Sequence, residues 1–432
     1  MPLNVSDVAS YDDSFASDIQ SNSPPHDNQL VEQRTPYHVI VIDAMAILQG
    51  MRKKPSTKLF KNLCSDFLKI IDEMISPYNE ARLLFDPYPD KKTLKDNTHK
   101  KRAAPGVLNS DGYDVHMEMP LKMSIKELLS ASKTKRRISK ILCELILQKY
   151  SASGSPCIVV AYETTIKDND PQSLPLIHSR DEADQLITNQ IIESAAKAPN
   201  PFANLIVFSP DTDVLTMLMN VVASGRLNAT NSLKLITDKP KSKQKETIDI
   251  VERVCTIGPK KSMGLIGFHN FCGGGDWGGK SVGITKKTWC DAYMALDDNS
   301  PIVEAFCQLG NKPFTLDDIG ENPTLEHLET VIPEELRPLE HFLCSVYSPK
   351  GPFNIPDLRW ELFRTKLKEG ENLPPSKGAY IPHLMRANYV SMRDKSYTDY
   401  CPQLPPIHIS GWKDKGDHYT PVQSLLLSAP NL

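Results

Sequence analysis

His38-Val39-Ile40-Val41-Ile42 runs straight into Asp43, Arg82-Leu83-Leu84-Phe85 into Asp86, and Asn204-Leu205-Ile206-Val207-Phe208 through Ser209-Pro210 into Asp211 and Asp213. Short continuous apolar runs bounded by turn residues read as buried parallel strands, and in open parallel sheets ligands bind beyond the carboxyl ends of the strands. Acids at that edge converge. Gathered carboxylates repel one another unless cations neutralise them, and hard oxygen donors of this kind suit Mg²⁺ or Mn²⁺.

Working outward, the 432 residues allow two or three domains, or one large domain with an appendage, and provide enough apolar content for a sizeable core. The formal net charge of −3 argues against a polybasic, histone-like binder and fits carboxylates collected in one site. The 9 cysteines are scattered singly with no C-x-x-C pair, so neither a disulfide framework nor a zinc ribbon is indicated. The amino terminus lacks the basic and apolar blocks of a signal peptide, and no run of apolar residues reaches membrane-spanning length. A soluble protein of the nucleus or cytoplasm is the expectation, with no membrane partner.

Residues 1–36 are rich in Ser, Asp, Asn and Pro and are expected to form a disordered leader. The fold starts at Tyr37. A helix is predicted from Ser56 to Ile75, with Leu59, Leu63, Phe67, Ile71 and Met74 at helical spacing and Pro77 beyond it. After Asp86 comes a long basic and polar insertion, irregular from Pro87 to about Ser124 and helical from there to Tyr150, with about 87–132 as the arch, and then a strand at Cys157–Ala161. An acid-led helix from Asp181 to Ala195, the Leu205–Phe208 strand, a helix from Asp213 and a strand at Leu233–Thr237 follow. Strands alternating with helices predict an α/β domain, about 37–300, with a mainly parallel sheet. Lys239–Lys245 reads as a solvated basic loop. Residues 301–432 read as a helical and irregular appendage, mostly irregular from Leu373.

Four segments carry candidate chemistry. Ser209-Pro-Asp-Thr-Asp213 puts two carboxylates at a helix start, where an N-cap with a second dipole acid is the plain alternative. Arg180-Asp-Glu-Ala-Asp184 opens another helix, and surface acids in a first turn are its plain alternative. Phe85-Asp86-Pro-Tyr-Pro-Asp-Lys-Lys-Thr93 sets an acid at a strand end before Lys91, Lys92 and Arg102, a combination suited to a phosphate substrate. The fourth segment, Gly274 to Ser281, matches the P-loop pattern G-x-x-x-x-G-K-S, so a nucleotide-hydrolysing reading has to be weighed. A P-loop follows a core strand and needs a later acid-tipped strand, whereas the acid-tipped strands here all lie upstream.

The order of these pieces resembles the PIN-like flap endonuclease superfamily of structure-specific 5′-nucleases. The pieces are an acid after the first strand, Phe-Asp before Pro and Lys, Glu-Ala-Asp, Asp-Thr-Asp, and Gly-Gly-Asp leading into Val282-Gly283-Ile284-Thr285-Lys286-Lys287. The resemblance spans about Tyr37 to Tyr293. It implies a three-layer α/β/α domain in which Asp43, Asp86, Glu182, Asp184, Asp211, Asp213 and Asp276 are catalytic ligands of two Mg²⁺ or Mn²⁺ ions. It also implies a helix-two-turn-helix-like segment, about 264–293, whose Lys280, Gly283, Ile284, Lys286 and Lys287 meet the backbone of a nucleic acid. Thr285 replaces the second glycine of the family's Gly-Ile-Gly turn, and Pro87 stands where flap enzymes usually have glycine.

The implied reaction is hydrolysis of a phosphodiester, in DNA ahead of RNA, by two metals about 4 Å apart. Lys91, Lys92 and Arg102 are then candidates to clamp the scissile phosphate, and Lys133, Lys135, Arg136 and Arg137 are candidates for an arch over a single strand. A protein that keeps the fold as a nucleic-acid-binding scaffold without turnover is the alternative; the P-loop reading is a minor one. The tail, including Pro356-Asp-Leu-Arg-Trp360 and His383-Leu-Met-Arg-Ala-Asn-Tyr389, resembles the carboxyl-terminal part of an uncharacterised animal protein group with the dispersed look of mobile-element genes. A packing appendage is preferred there over a separate binding module.

Overall fold

The computed structural model describes residues 36–89, 92–94, 112–152, 156–198, 202–228, 230–238, 244–273, 283–320, 323–366 and 373–426. Residues 1–35 of the expected leader, Lys91, Arg102, and Gly274–Ser281 with Asp276 and Lys280 lie outside the described residues.

One sheet organises the chain: β1 (Tyr37–Asp43), β2 (Glu80–Leu84), β3 (Cys157–Tyr162), β4 (Thr165–Asp168), β5 (Leu176–Ile177), β6 (Ala203–Phe208), β7 (Ser232–Asp238) and β8 (Lys245–Asp249). They lie in the order β5-β4-β3-β2-β1-β6-β7-β8. The central strands β3, β2, β1, β6 and β7 are parallel, while β4, β5 and β8 add antiparallel margins. Strand order reverses at β1, whose register sets Val39 against Glu80 on one side and Leu205 on the other. This is the switch point at which an open α/β sheet opens a crevice at its carboxyl edge.

Among the described residues the first helices are α1 (Ala44–Gly50), α2 (Phe60–Ile75), α3 (Ile125–Leu128), α4 (Ser132–Lys149), α5 (Ala183–Lys197), α6 (Thr212–Ala223), α7 (Ile250–Ile257) and α8 (Pro259–Phe271). The rest are α9 (Lys286–Met294), α10 (Pro301–Gln308), α11 (Leu325–Thr330), α12 (Pro338–Tyr347), α13 (Ile355–Lys366) and α14 (Lys377–Lys395). No described helix is long and apolar enough to cross a membrane.

Alternation along β1 builds two cores, because successive side chains leave a strand on opposite faces. Ile40 and Ile42 join Phe60, Phe67 and Ile71 of α2 and Ile138 and Leu142 of α4. Val39 and Val41 join Leu186 and Ile187 of α5, Val214 and Leu218 of α6, and Phe268 of α8. Both faces are covered, which is why these strands read as unbroken apolar runs.

The helix expected to end at Tyr150 is interrupted: Ser124 caps α3 by accepting from the Glu127 amide at 3.1 Å, and the chain turns before α4. β8 takes up Lys245, where a loop was expected, by pairing antiparallel to β7.

The largest correction is in the tail. From Leu373 the chain was expected to be mostly irregular, yet α14 is a 19-residue helix with Pro382 inside it. A proline there removes the amide that would bond the carbonyl four residues back. That carbonyl, on Gly378, instead accepts from the amide of Leu425 at 2.9 Å. The helix packs on all sides, with Tyr380, Ile381, Leu384, Met385 and Ala387 in the same core as α5, α6 and α8. At Gly310, with φ +91°, a Cβ would come within 2.6 Å of the Met392 amide nitrogen, so glycine permits this approach to α14.

The glycine-rich Gly274–Ser281 is preceded by the helix α8, not by a strand. A phosphate-cradling P-loop requires the strand.

Candidate metal centre

Each acid reaches the switch point because a strand ends or a helix begins there. Asp43 closes β1 and caps α1, its Oδ1 accepting from the Ala46 amide at 2.9 Å. Asp86 follows β2 with both oxygens engaged: Oδ1 accepts from the Ala183 amide at 3.0 Å and Oδ2 from the Tyr88 hydroxyl at 3.2 Å. Tyr88 holds a left-handed backbone, φ +45°, which turns its ring back toward the acid. Asp211 caps α6 by accepting from the Asp213 amide at 3.0 Å, and its own amide donates to the Ser209 hydroxyl at 3.2 Å. Glu182 occupies the cap position of α5 and Asp184 its first turn.

Asp184, Asp211 and Asp213 each offer one oxygen, and the three lie within 4.8 Å of one another. Opposed oxygens around an octahedral Mg²⁺ are about 4 Å apart, so a small closure suffices for this group to hold a hard cation. The donor set is all oxygen, as such ions require. Asp43 belongs to the same electrostatic neighbourhood. Its carboxyl is pushed from 3.8 up to about 7, first by burial and next by the charges of Asp86 and Asp211. A cation held at this edge would relieve that repulsion and displace the proton.

Two groups at the centre carried no signal in the sequence. His269, buried in α8, places Nε2 2.7 Å from Asp213 Oδ1. Burial alone would lower its pKa, but the Asp213 carboxylate outweighs that and raises it. Arg393, near the end of α14, donates from Nη1 to Glu182 Oε1 at 2.7 Å across 211 residues of chain. Burial opposes its charge, and Asp394 and Glu182 overcome that and hold it protonated.

The expected nucleic-acid contacts are dispersed. Lys92 pairs with Asp414 and sits 4.1 Å from the centroid of the Tyr419 ring, both in the tail. Lys287 pairs with Asp291 at 3.3 Å along α9. Lys286 starts α9, Ile284 packs against the core, and Gly283 takes φ +76° just before it. The helix α4 reaches the segment that follows Asp86: Arg136 Nη2 donates to the Tyr88 carbonyl at 2.5 Å, and Lys135 Nζ lies 4.9 Å from the Tyr88 ring centroid. Lys133, Arg136, Arg137 and Lys140 line an open groove of about 560 Å³ along this helix.

No protein-family model matches the chain, and no curated protein matches it.

Proposed function

We propose that this protein is a metal-dependent nuclease, built on a PIN-like form of the mostly parallel sheet, that hydrolyses phosphodiester bonds in nucleic acid, with DNA the first substrate to test. The observation that carries the reading is the meeting of acids from separate segments at the switch point: Asp43 after β1, Asp86 after β2, Asp184 at the start of α5, and Asp211 and Asp213 at the start of α6. Their oxygens fit Mg²⁺ or Mn²⁺, and a pair of such ions, when bound, supplies an activated water and neutralises charge on the leaving oxygen.

The chain's own residues hold the frame. Asp86 ties the end of β2 to the start of α5 through the Ala183 amide, fixing the separation between two of the acid-bearing segments. His269 orients the Asp213 carboxylate. The cations of α4, reaching the Tyr88 segment next to Asp86, supply positive potential beside a negative site, an arrangement suited to drawing in a phosphate backbone.

Purified protein incubated with flap, hairpin and single-stranded DNA and RNA, with Mg²⁺ or Mn²⁺ and then with chelator, tests the reading. Cleavage that chelator stops is the expected result. Binding without cleavage under every condition would replace the nuclease with a nucleic-acid-binding scaffold, and Lys280-dependent binding of ATP would return the glycine-rich segment to nucleotide chemistry.

A further inference from the structure

We infer that Arg393 is a positioning residue of the carboxylate site, and that Glu182 anchors this arginine in place of ligating a metal. The inference rests on the metal-site reading above and departs from the ligand set that the family resemblance implies.

Glu182 and Asp184 are two residues apart, yet they face different partners. Asp184 joins Asp211 and Asp213 in the group of converging oxygens, and Glu182 does not. Glu182 Oε1 instead receives Arg393 Nη1 at 2.7 Å. The other edge of the guanidinium is held by Asp394, whose Oδ1 accepts from Nε at 2.9 Å and Nη2 at 2.8 Å. Asp394 is itself fixed by Gln185 of α5 at 3.1 Å and Asn270 of α8 at 3.0 Å. Glu182, Arg393 and Asp394 are all buried. Away from water such charge-assisted bonds are strong, and withdrawing Glu182 Oε1 to a metal would leave the guanidinium short of a partner in the interior.

The same turn grips the helix a second time. Arg180 donates to the Arg393 carbonyl at 3.3 Å and to the Ser396 hydroxyl at 2.9 Å, and it also meets the Ser396 and Asp399 carbonyls. A cation at a helix carboxyl end complements the carbonyls left without intrahelical partners. Residues 180–182 therefore clasp the end of α14 from both sides, Arg180 by its backbone and Glu182 by its guanidinium. The clasp sets where α5 begins, and so where Asp184 stands.

The experiment compares wild type, Asp211→Asn and Glu182→Gln for Mn²⁺ affinity by calorimetry and for Mn²⁺-induced rise in Tm. It adds a double-mutant cycle of Glu182→Gln with Arg393→Met, read by urea unfolding in chelator. Expected are loss of Mn²⁺ binding in Asp211→Asn, an affinity lowered by about 10–100-fold in Glu182→Gln, and clear non-additivity between Glu182 and Arg393. If Arg393→Met does not fold, Arg393→Lys, which keeps the charge and loses the fork, takes its place in the cycle. Glu182→Gln losing Mn²⁺ as completely as Asp211→Asn would overturn the inference, as would additive effects in the cycle. If wild type takes up no Mn²⁺, the metal-site reading fails separately, and the cycle in chelator still decides whether Glu182 anchors Arg393.

Discussion

The strand ends of the sheet and the last turn of α14 both bring charge to the same crevice, but by opposite routes. Asp43, Asp86 and Asp211 arrive through local pattern, each a few residues beyond an apolar run whose burial fixes the strand. Arg393 arrives through tertiary packing alone, carried by a helix packed mainly on α8 and α11. Burial first, and the neighbouring acids next, raise the Asp43 pKa, whereas the arginine is held between two carboxylates. Charge that is gathered by pattern awaits a ligand. Charge that is delivered by packing arrives already neutralised.

The sharpest way to break this contrast is to neutralise the acids. Asp211→Asn with Asp213→Asn is expected to reduce cleavage to background while leaving the metal-free fold intact or more stable, because ligation and like-charge repulsion disappear together. Cleavage assays with Mn²⁺ and thermal melts in chelator check both halves. Equal activity would remove these residues from the site, and a lower Tm alone would mark them as helix caps.

Next in size is the arginine. Arg393→Ala is expected to destabilise by about 3–5 kcal/mol, since it leaves Glu182 and Asp394 buried without their counter-charge. Urea unfolding in chelator measures it. A loss within the range of a surface ion pair, under about 1 kcal/mol, would erase the contrast.

The acid cluster also predicts a pH dependence. Asp43 binds its proton more tightly when folded, with a pKa of about 7 against 3.8. The folded chain therefore carries more proton at this site between those values, and stability in chelator falls as pH rises from about 4 to about 7, by at most ~1.4 kcal/mol per pH unit. Asp43→Asn should flatten that slope, and Mn²⁺ affinity in wild type should climb as pH rises toward about 7 and level off above it. A slope unchanged by Asp43→Asn would detach it from the cluster.

The smallest effect concerns the basic groove. Lys133→Ala with Lys140→Ala, both exposed on α4, should lower the salt dependence of single-strand binding by about 0.7 per lysine in log–log slope. An unchanged slope would leave them as solvated charges.

The contrast also marks what was legible in the sequence. β-branched runs flanked by turn residues exposed β1, β3 and β6 because burial on both faces demands apolar side chains at consecutive positions. The acids at their ends were legible for the same local reason. β4 and β5 were not, because Thr165–Asp168 is only partly apolar and Leu176–Ile177 is two residues long, and it is pairing, β4 against β3 and β5 against β4, that makes them strands. Helix α14 was hidden twice. Pro382 signals a break that the Leu425 amide repairs at the Gly378 carbonyl, 47 residues from it in sequence, and burial on all sides leaves no one-faced apolar stripe to detect. Arg393 and His269 had no local signature at all, since their partners Glu182 and Asp213 are identified only once the helices are packed.

The 211-residue separation of Glu182 and Arg393 also translates into time. At about 5–20 residues per second, a ribosome takes roughly 10–40 s to travel from one to the other. For most of that interval, from the synthesis of Asp213 onward, the nascent chain carries the acids Asp43, Asp86, Asp184, Asp211 and Asp213, and the guanidinium that will neutralise Glu182 has not been made. The emerging chain thus passes through a stage in which dissolved cations are its available counter-charge, and it loses that dependence at Glu182 when the end of α14 docks.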